Sequence, residues 1–169
     1  MPRIFIGVGS NIEPEANVKM SLRLVRQFAP IAAISTFYET SPIDRPEQEN
    51  YFNGVVEIIF HGTPFELDLK LLDIEDELGR LRTADKYASR TIDLDILLFG
   101  REIIDDGNLR IPDPDILKRD FVLLPLNEIG PTAIHPETGQ LIEKIAYNFR
   151  SHELKELVEF TKELREEFI

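Results

Sequence analysis

Asp93 and Asp95 stand two residues apart in the run Arg90-Thr91-Ile92-Asp93-Leu94-Asp95-Ile96-Leu97-Leu98-Phe99, a segment otherwise built for burial. In a strand, side chains at i and i+2 share a face. The two carboxylates therefore converge, while Ile92, Leu94 and Ile96 point the other way. Like charges side by side on an apolar strand are costly unless something neutralises them. Water does this on an open amphipathic strand. A divalent cation does it better, and Mg²⁺ is commonly held by one or two carboxylates plus phosphate oxygens. Just upstream lie Arg80, Arg82, Lys86 and Arg90, four cations within eleven residues. Cations packed so close to a carboxylate pair favour a site for Mg²⁺ and polyphosphate over a solvated face. Lys86 alone reads better as a solvated loop residue.

The elements that must position these groups follow from apolar spacing. Ile4 to Val8 reads as a strand, and its glycines suit a turn at its end. Val18, Leu22, Val25 and Phe28 fall near helical spacing and predict a helix over 17–28. Ile31 to Tyr38 reads as a second strand, the Pro-containing stretch 40–50 as a loop, and Tyr51 to Phe60 as a third strand. Thr63-Pro64-Phe65-Glu66 has the form of a capping box with proline in the first turn. Leu67, Leu71, Ile74 and Leu78 continue that helix, and Gly79 ends it. Residues 80–90 are polar and predict a mobile loop; Ile92 to Phe99 is the fourth strand. The order β-α-β-β-α-β predicts an α+β, ferredoxin-like antiparallel sheet covered on one side by two helices. Residues 109–120 read as a further loop and 121–129 as a short helix or turn. Residues 1–149 form one expected unit. Residues 150–169 form a C-terminal amphipathic helix, with Leu154, Leu157, Val158, Thr161, Leu164 and Phe168 on one face. Such a helix docks on its own domain or meets a second copy in a homodimer.

Composition narrows the classes. The chain has 169 residues, no cysteine and a net charge of −12. One domain is expected. Lack of cysteine excludes disulfides, a thiol nucleophile and thiolate-bound metal, and fits a reducing cytoplasm. The acidic balance argues against a nucleic-acid partner, and no apolar run is long enough to span a membrane. His61, His135 and His152 are scattered, without metal-ligand spacing. A local basic cluster in an acidic chain suits a small anionic ligand.

Six motifs occur in order: Gly9-Ser10-Asn11, Tyr38-Glu39-Thr40-Ser41-Pro42, Tyr51-Phe52-Asn53-Gly54-Val55, Glu75 with Leu78-Gly79-Arg80-Leu81-Arg82, the Arg90 to Asp95 run, and Ile111-Pro112 followed by Arg119-Asp120-Phe121-Val122-Leu123. Each is modest alone. Together, over residues 3–147, they closely resemble the 6-hydroxymethyl-7,8-dihydropterin pyrophosphokinase family of folate biosynthesis.

The resemblance implies diphosphate transfer from ATP to the pterin's hydroxymethyl group, with AMP released. It implies two Mg²⁺ ions on Asp93 and Asp95, with ATP as co-substrate. Arg80, Arg90 and Arg119 match phosphate contacts, and Arg82 matches a catalytic loop arginine. Glu75, Ile96 and Asp113 match further positions of the nucleotide site. Thr40, Ser41, Ile43 and Asn53 match the pterin's polar contacts, and Tyr51 and Phe121 match the rings that sandwich it. A flat, polar-edged ring is bound by stacking plus a few aimed hydrogen bonds, which agrees. Plain core aromatics at 51 and 121, and a strand-edge role for Asn53, are the bland readings. The chain departs from the family in two places. Tyr87-Ala88-Ser89 replaces Trp-Gly-Pro, and Asp113 replaces a histidine. An ionised Asp accepts where a His donates. The rival readings are a non-catalytic pterin- or nucleotide-binding relative and an interaction domain without a ligand.

Overall fold

The computed structural model describes residues 1–42, 45–79 and 91–169. At its centre is β1 (Ile4–Ser10), paired antiparallel with β4 (Tyr51–Ile58) on one side and β5 (Asp93–Phe99) on the other. β2 (Ile31–Ile34) and β3 (Tyr38–Thr40) both lie along β4, and β8 (Lys155–Glu156) closes the far edge on β3. The strand order is β5-β1-β4-β3-β8, with β2 beside β4. α1 (Pro14–Arg26) follows β1, and α2 (Pro64–Glu77) joins β4 to β5. This is the ferredoxin-like order that the sequence predicts. β6 (Ile104–Asp105) and β7 (Arg110–Ile111) form a separate small hairpin.

Helices cover both faces of the sheet, not one. Ile4, Ile6 and Val8 of β1 pack with Val18, Leu22 and Val25 of α1 and with Leu67, Leu71 and Ile74 of α2. The opposite face carries Phe5, Val55 and Leu97. It is covered by Leu123 and Leu126 of α3 (Asp120–Ile129) and by Ile142 and Ile145 of α4 (Ile142–Asn148). Apolar residues on both faces of β1, β4 and β5 require cover on both. The capping box of α2 forms as expected. The Glu66 N–H donates to Thr63 Oγ1 at 3.2 Å, and the Thr63 N–H donates to Glu66 Oε2 at 2.7 Å.

The expected second strand is broken into β2 and β3. Between Ile34 and Tyr38 the chain advances four residues, while β4 advances three, from Val56 to Asn53. The extra residue makes a bulge. Side chains from elsewhere hold it open. Thr36 N–H donates to Glu128, and Phe37 N–H donates to Thr161, so neither donates to the ladder.

The C-terminal helix α5 (Val158–Phe168) begins eight residues later than expected, because Lys155 and Glu156 are taken up by β8. Its buried face is Phe160, Thr161, Leu164 and Phe168, and Val158 is exposed. It packs in the same cluster as α1 and α2. No helix among the described residues is long and apolar enough to cross a membrane.

Candidate active site

The floor of the site is bare backbone. β1 alternates so that Ile4, Ile6, Val8 and Ser10 face one way, and Phe5, Gly7 and Gly9 the other. Toward its C-terminal end the second face thus has no side chains. The strand runs through Ser10, so Gly9, expected in a turn, is a strand residue like Gly7. Gly7 pairs with Val55 and Asp95, and Gly9 pairs with Asn53 and Asp93. Above this floor opens a cleft of about 470 Å³, mouth included, within the range of small-molecule sites.

One end of the cleft is acidic. Asp93 and Asp95 line it together, as strand parity predicts, and Leu97 continues the same face inward. Ile92, Leu94 and Ile96 are buried on the opposite face. Two further carboxylates, Asp113 and Asp115, join the lining from the 3₁₀ turn Pro114–Leu117. Asp113 Oδ1 caps that turn, accepting from Asp115 N–H at 2.8 Å. Burial pushes the Asp113 carboxyl up to about 6, and the neighbouring Asp115 and Asp93 charges add to the rise; the cap hydrogen bond opposes it. The residue therefore both caps a turn and faces the site.

Glu75 is only 1 % exposed on α2. Its Oε1 accepts the Leu94 N–H at 2.8 Å. Leu94 lies between the two aspartates on β5, an edge strand. The carboxylate thus binds the backbone that presents Asp93 and Asp95.

The other end of the cleft carries Asn53, Phe121 and Val122. Asn53 Nδ2 donates to Thr40 Oγ1 at 2.7 Å, tying β4 to β3 at the mouth. Tyr51 lies on the Asn53 face of β4, and its ring comes near Gly9. Asn11, buried, donates to Gln48 Oε1 at 3.2 Å and to the Glu49 carbonyl at 3.1 Å. It anchors the end of the 40–50 loop, a task that nothing in its sequence context signals. The bare floor was more legible, since two glycines on one parity of an apolar strand leave that face open.

The structure gathers Asp93, Asp95, Asp113, Asn53 and Phe121 around one cleft, with Thr40 hydrogen-bonded to Asn53. Ile96 is different. Its side chain is in the core on the far face, so only its backbone, on the edge strand, is offered toward a ligand. Arg119 occupies the N-cap of α3 and Ser41 is exposed; neither lines the cleft. Arg80, Arg82, Lys86, Arg90, Tyr87-Ala88-Ser89 and Ile43 lie outside the described residues.

The model of the 7,8-dihydro-6-hydroxymethylpterin-pyrophosphokinase (HPPK) family matches residues 5–131. The chain belongs to this family. Among its relatives is the 2-amino-4-hydroxy-6-hydroxymethyldihydropteridine pyrophosphokinase of Haemophilus influenzae, 35 % identical over 156 residues, covering 90 % of this chain and 96 % of the relative. The Bacillus subtilis protein of the same name is 41 % identical over 128 residues, covering 74 % of this chain and 76 % of the relative. A crystal structure of wild-type Plasmodium falciparum HPPK-DHPS with pteroate superposes with a TM-score of 0.68 at 14 % identity. That match covers 86 % of this chain and 44 % of the larger one, and it speaks for the fold. This HPPK-family chain is accordingly an enzyme of the transferase class, a pyrophosphokinase.

Proposed function

We propose that the chain transfers the β,γ-diphosphate of ATP to 6-hydroxymethyl-7,8-dihydropterin, giving AMP and the pterin diphosphate in folate biosynthesis. The observation that carries this reading is the register row Asp93–Gly9–Asn53, which sets a carboxylate end and an amide end on one bare floor. A cytoplasmic setting, where ATP is at hand, fits a chain without cysteine.

The residues present fit a hard divalent cation. Asp93, Asp95, Asp113 and Asp115 offer oxygen donors only, in one cleft. Among the described residues no group of three or more His, Asp or Glu is close enough to hold a metal ion unaided. The rest of the coordination sphere then falls to phosphate oxygens and water, which is how Mg²⁺ is commonly bound. Bound there, Mg²⁺ supplies charge neutralisation on the triphosphate and lowers the pKa of the nearby hydroxyl.

The protein's own work is placement. Asp93 and Asp95 hold the charge at the strand end, and Glu75 fixes the backbone between them. Asn53, supported by Thr40, reads the polar edge of the pterin. Tyr51 and Phe121 take its faces. The pterin hydroxyl oxygen forms a bond to the β-phosphorus as the bond from that phosphorus to the AMP oxygen breaks, and the hydroxyl proton passes to water. Arg80, Arg90 and Arg119 are assigned to the phosphates on the family pattern, and Arg82 to catalysis from its loop; their charges offset those that develop on the oxygens. Positioning of this kind accounts for a large share of a transfer barrier.

The test is AMP release from MgATP, followed with and without the pterin. AMP that forms only with both substrates supports the reading. ATP left intact in the presence of both overturns it.

A further inference from the structure

We propose that the C-terminal segment 155–168 is a positioning element for the pterin end of the site, acting through Phe37. The proposal rests on the pterin role of Asn53 given above.

Phe37 is fully buried in the β2–β3 bulge, and the C-terminal segment grips it at three points. Its N–H donates to Thr161 Oγ1 at 2.9 Å. Its carbonyl accepts from Leu157 N–H at 2.8 Å. Its ring meets that of Phe160 edge-on, with centroids 5.7 Å apart.

Phe37 in turn bears on the site from behind. A Cβ on Gly54 would stand 2.4 Å from the Phe37 ring, so the ring lies flat on the backbone next to Asn53. The three residues after Phe37 are β3, which pairs Tyr38 with Asn53 and Thr40 with Tyr51. Thr40 then accepts from the Asn53 amide. β8 braces the outer edge of the same short strand, pairing Glu39 with Lys155, and their side chains meet at 2.6 Å. A three-residue strand with a bulge behind it has little register strength of its own. The C-terminal segment supplies what it lacks.

α5 has a second face, which serves as the control. Arg23 of α1 pairs with Glu167 at 2.5 Å, and Lys19 with Glu163 at 2.6 Å. These contacts dock the helix without touching β3. Thr161→Val keeps the shape and removes the acceptor for Phe37 N–H. Thr161→Ser keeps the acceptor. Arg23→Ala loosens α5 only on the α1 side.

Pterin and ATP affinities and melting temperature are to be measured on all three full-length variants. The expected result for Thr161→Val is a pterin Kd raised about fivefold to tenfold, equivalent to roughly 1–1.4 kcal/mol, with ATP affinity within about twofold. Thr161→Ser should restore pterin affinity, and Arg23→Ala should lower the melting temperature without separating the two ligands. Thr161→Val with unchanged pterin affinity, or with equal losses for both ligands, overturns the proposal. So does an Arg23→Ala variant with the same selective pterin loss. A wild-type protein that binds no pterin overturns the functional reading itself, a result distinct from a selective null in the variants.

Discussion

Asp93 and Asn53 lie in one register row of the sheet, with Gly9 between them. Their side chains rise from the same face, two strand spacings apart, or about 10 Å. The sheet itself thus sets the separation between the carboxylates and the amide. Loops need only close over a distance already fixed, and the bare glycine leaves the line between the two ends clear.

That clearance can be tested with one methyl group. A Cβ at Gly9 would stand 2.7 Å from Asn53 Oδ1. The backbone tolerates alanine there, so Gly9→Ala should fold with little change in melting temperature. It should push the Asn53 amide aside and weaken pterin binding about tenfold, near 1.4 kcal/mol, with ATP binding intact. Asn53→Ala should weaken the pterin similarly, by roughly 1–3 kcal/mol. Calorimetry showing the same pterin affinity in both variants as in wild type would take Asn53 out of the site.

Asp93→Asn and Asp95→Asn each remove one charged donor from the acidic end. Diphosphate transfer should fall by at least about 100-fold, a rise of roughly 2.7 kcal/mol in the barrier. The Mg²⁺ concentration for half-maximal rate should rise as well. Turnover within about threefold of wild type, under ~1 kcal/mol, would show that these residues do not serve the reaction.

Glu75→Ala should damage both stability and rate. It strips the buried Leu94 N–H of its acceptor, at a cost of roughly 1–3 kcal/mol. Leu94 carries Asp93 and Asp95 on either side, so the same loss frees the strand that presents them. Glu75→Gln keeps an acceptor oxygen and should recover much of the melting temperature. Equal thermal stability in wild type and Glu75→Ala would reject the role.

Asp113 gives a pH dependence with a definite sign. Its carboxyl is raised to about 6, chiefly by burial, against an ordinary value of about 3.9 in the unfolded chain. Between these values the native state binds more protons than the unfolded state, so stability falls as pH rises through the window. Above about pH 6 the ionised group costs stability at the full extent of the shift. Asp113→Asn keeps a cap acceptor for Asp115 N–H and removes the charge. In metal-free buffer it should melt above wild type at pH 8, with the gap closing toward pH 4. A gap that stays constant across that range would contradict the assignment.

The sequence by itself determined most of the core strands and helices, and the key pair. Local spacing decides whether a segment is strand or helix. Strand parity alone places Asp93 and Asp95 on one face, opposite Leu94 and Ile96. The capping box at Thr63 and Glu66 was equally legible, because both partners lie within one helical turn. Only the tertiary structure decided what faces that pair. The register that lines Gly9 up with Asn53 and with Asp93 joins residues 44 and 84 positions apart, and no local pattern encodes it. The second helical layer, the buried hold of Glu75 on Leu94, and the aim of Asp113 into the cleft are of the same kind. So is the break at Thr36 and Phe37: its sequence reads as strand, and its N–H groups are claimed by Glu128 and Thr161, about ninety and about 125 residues downstream. Backbone donors go to whichever acceptor the folded chain brings near, and that is settled by packing and not by the residues beside them.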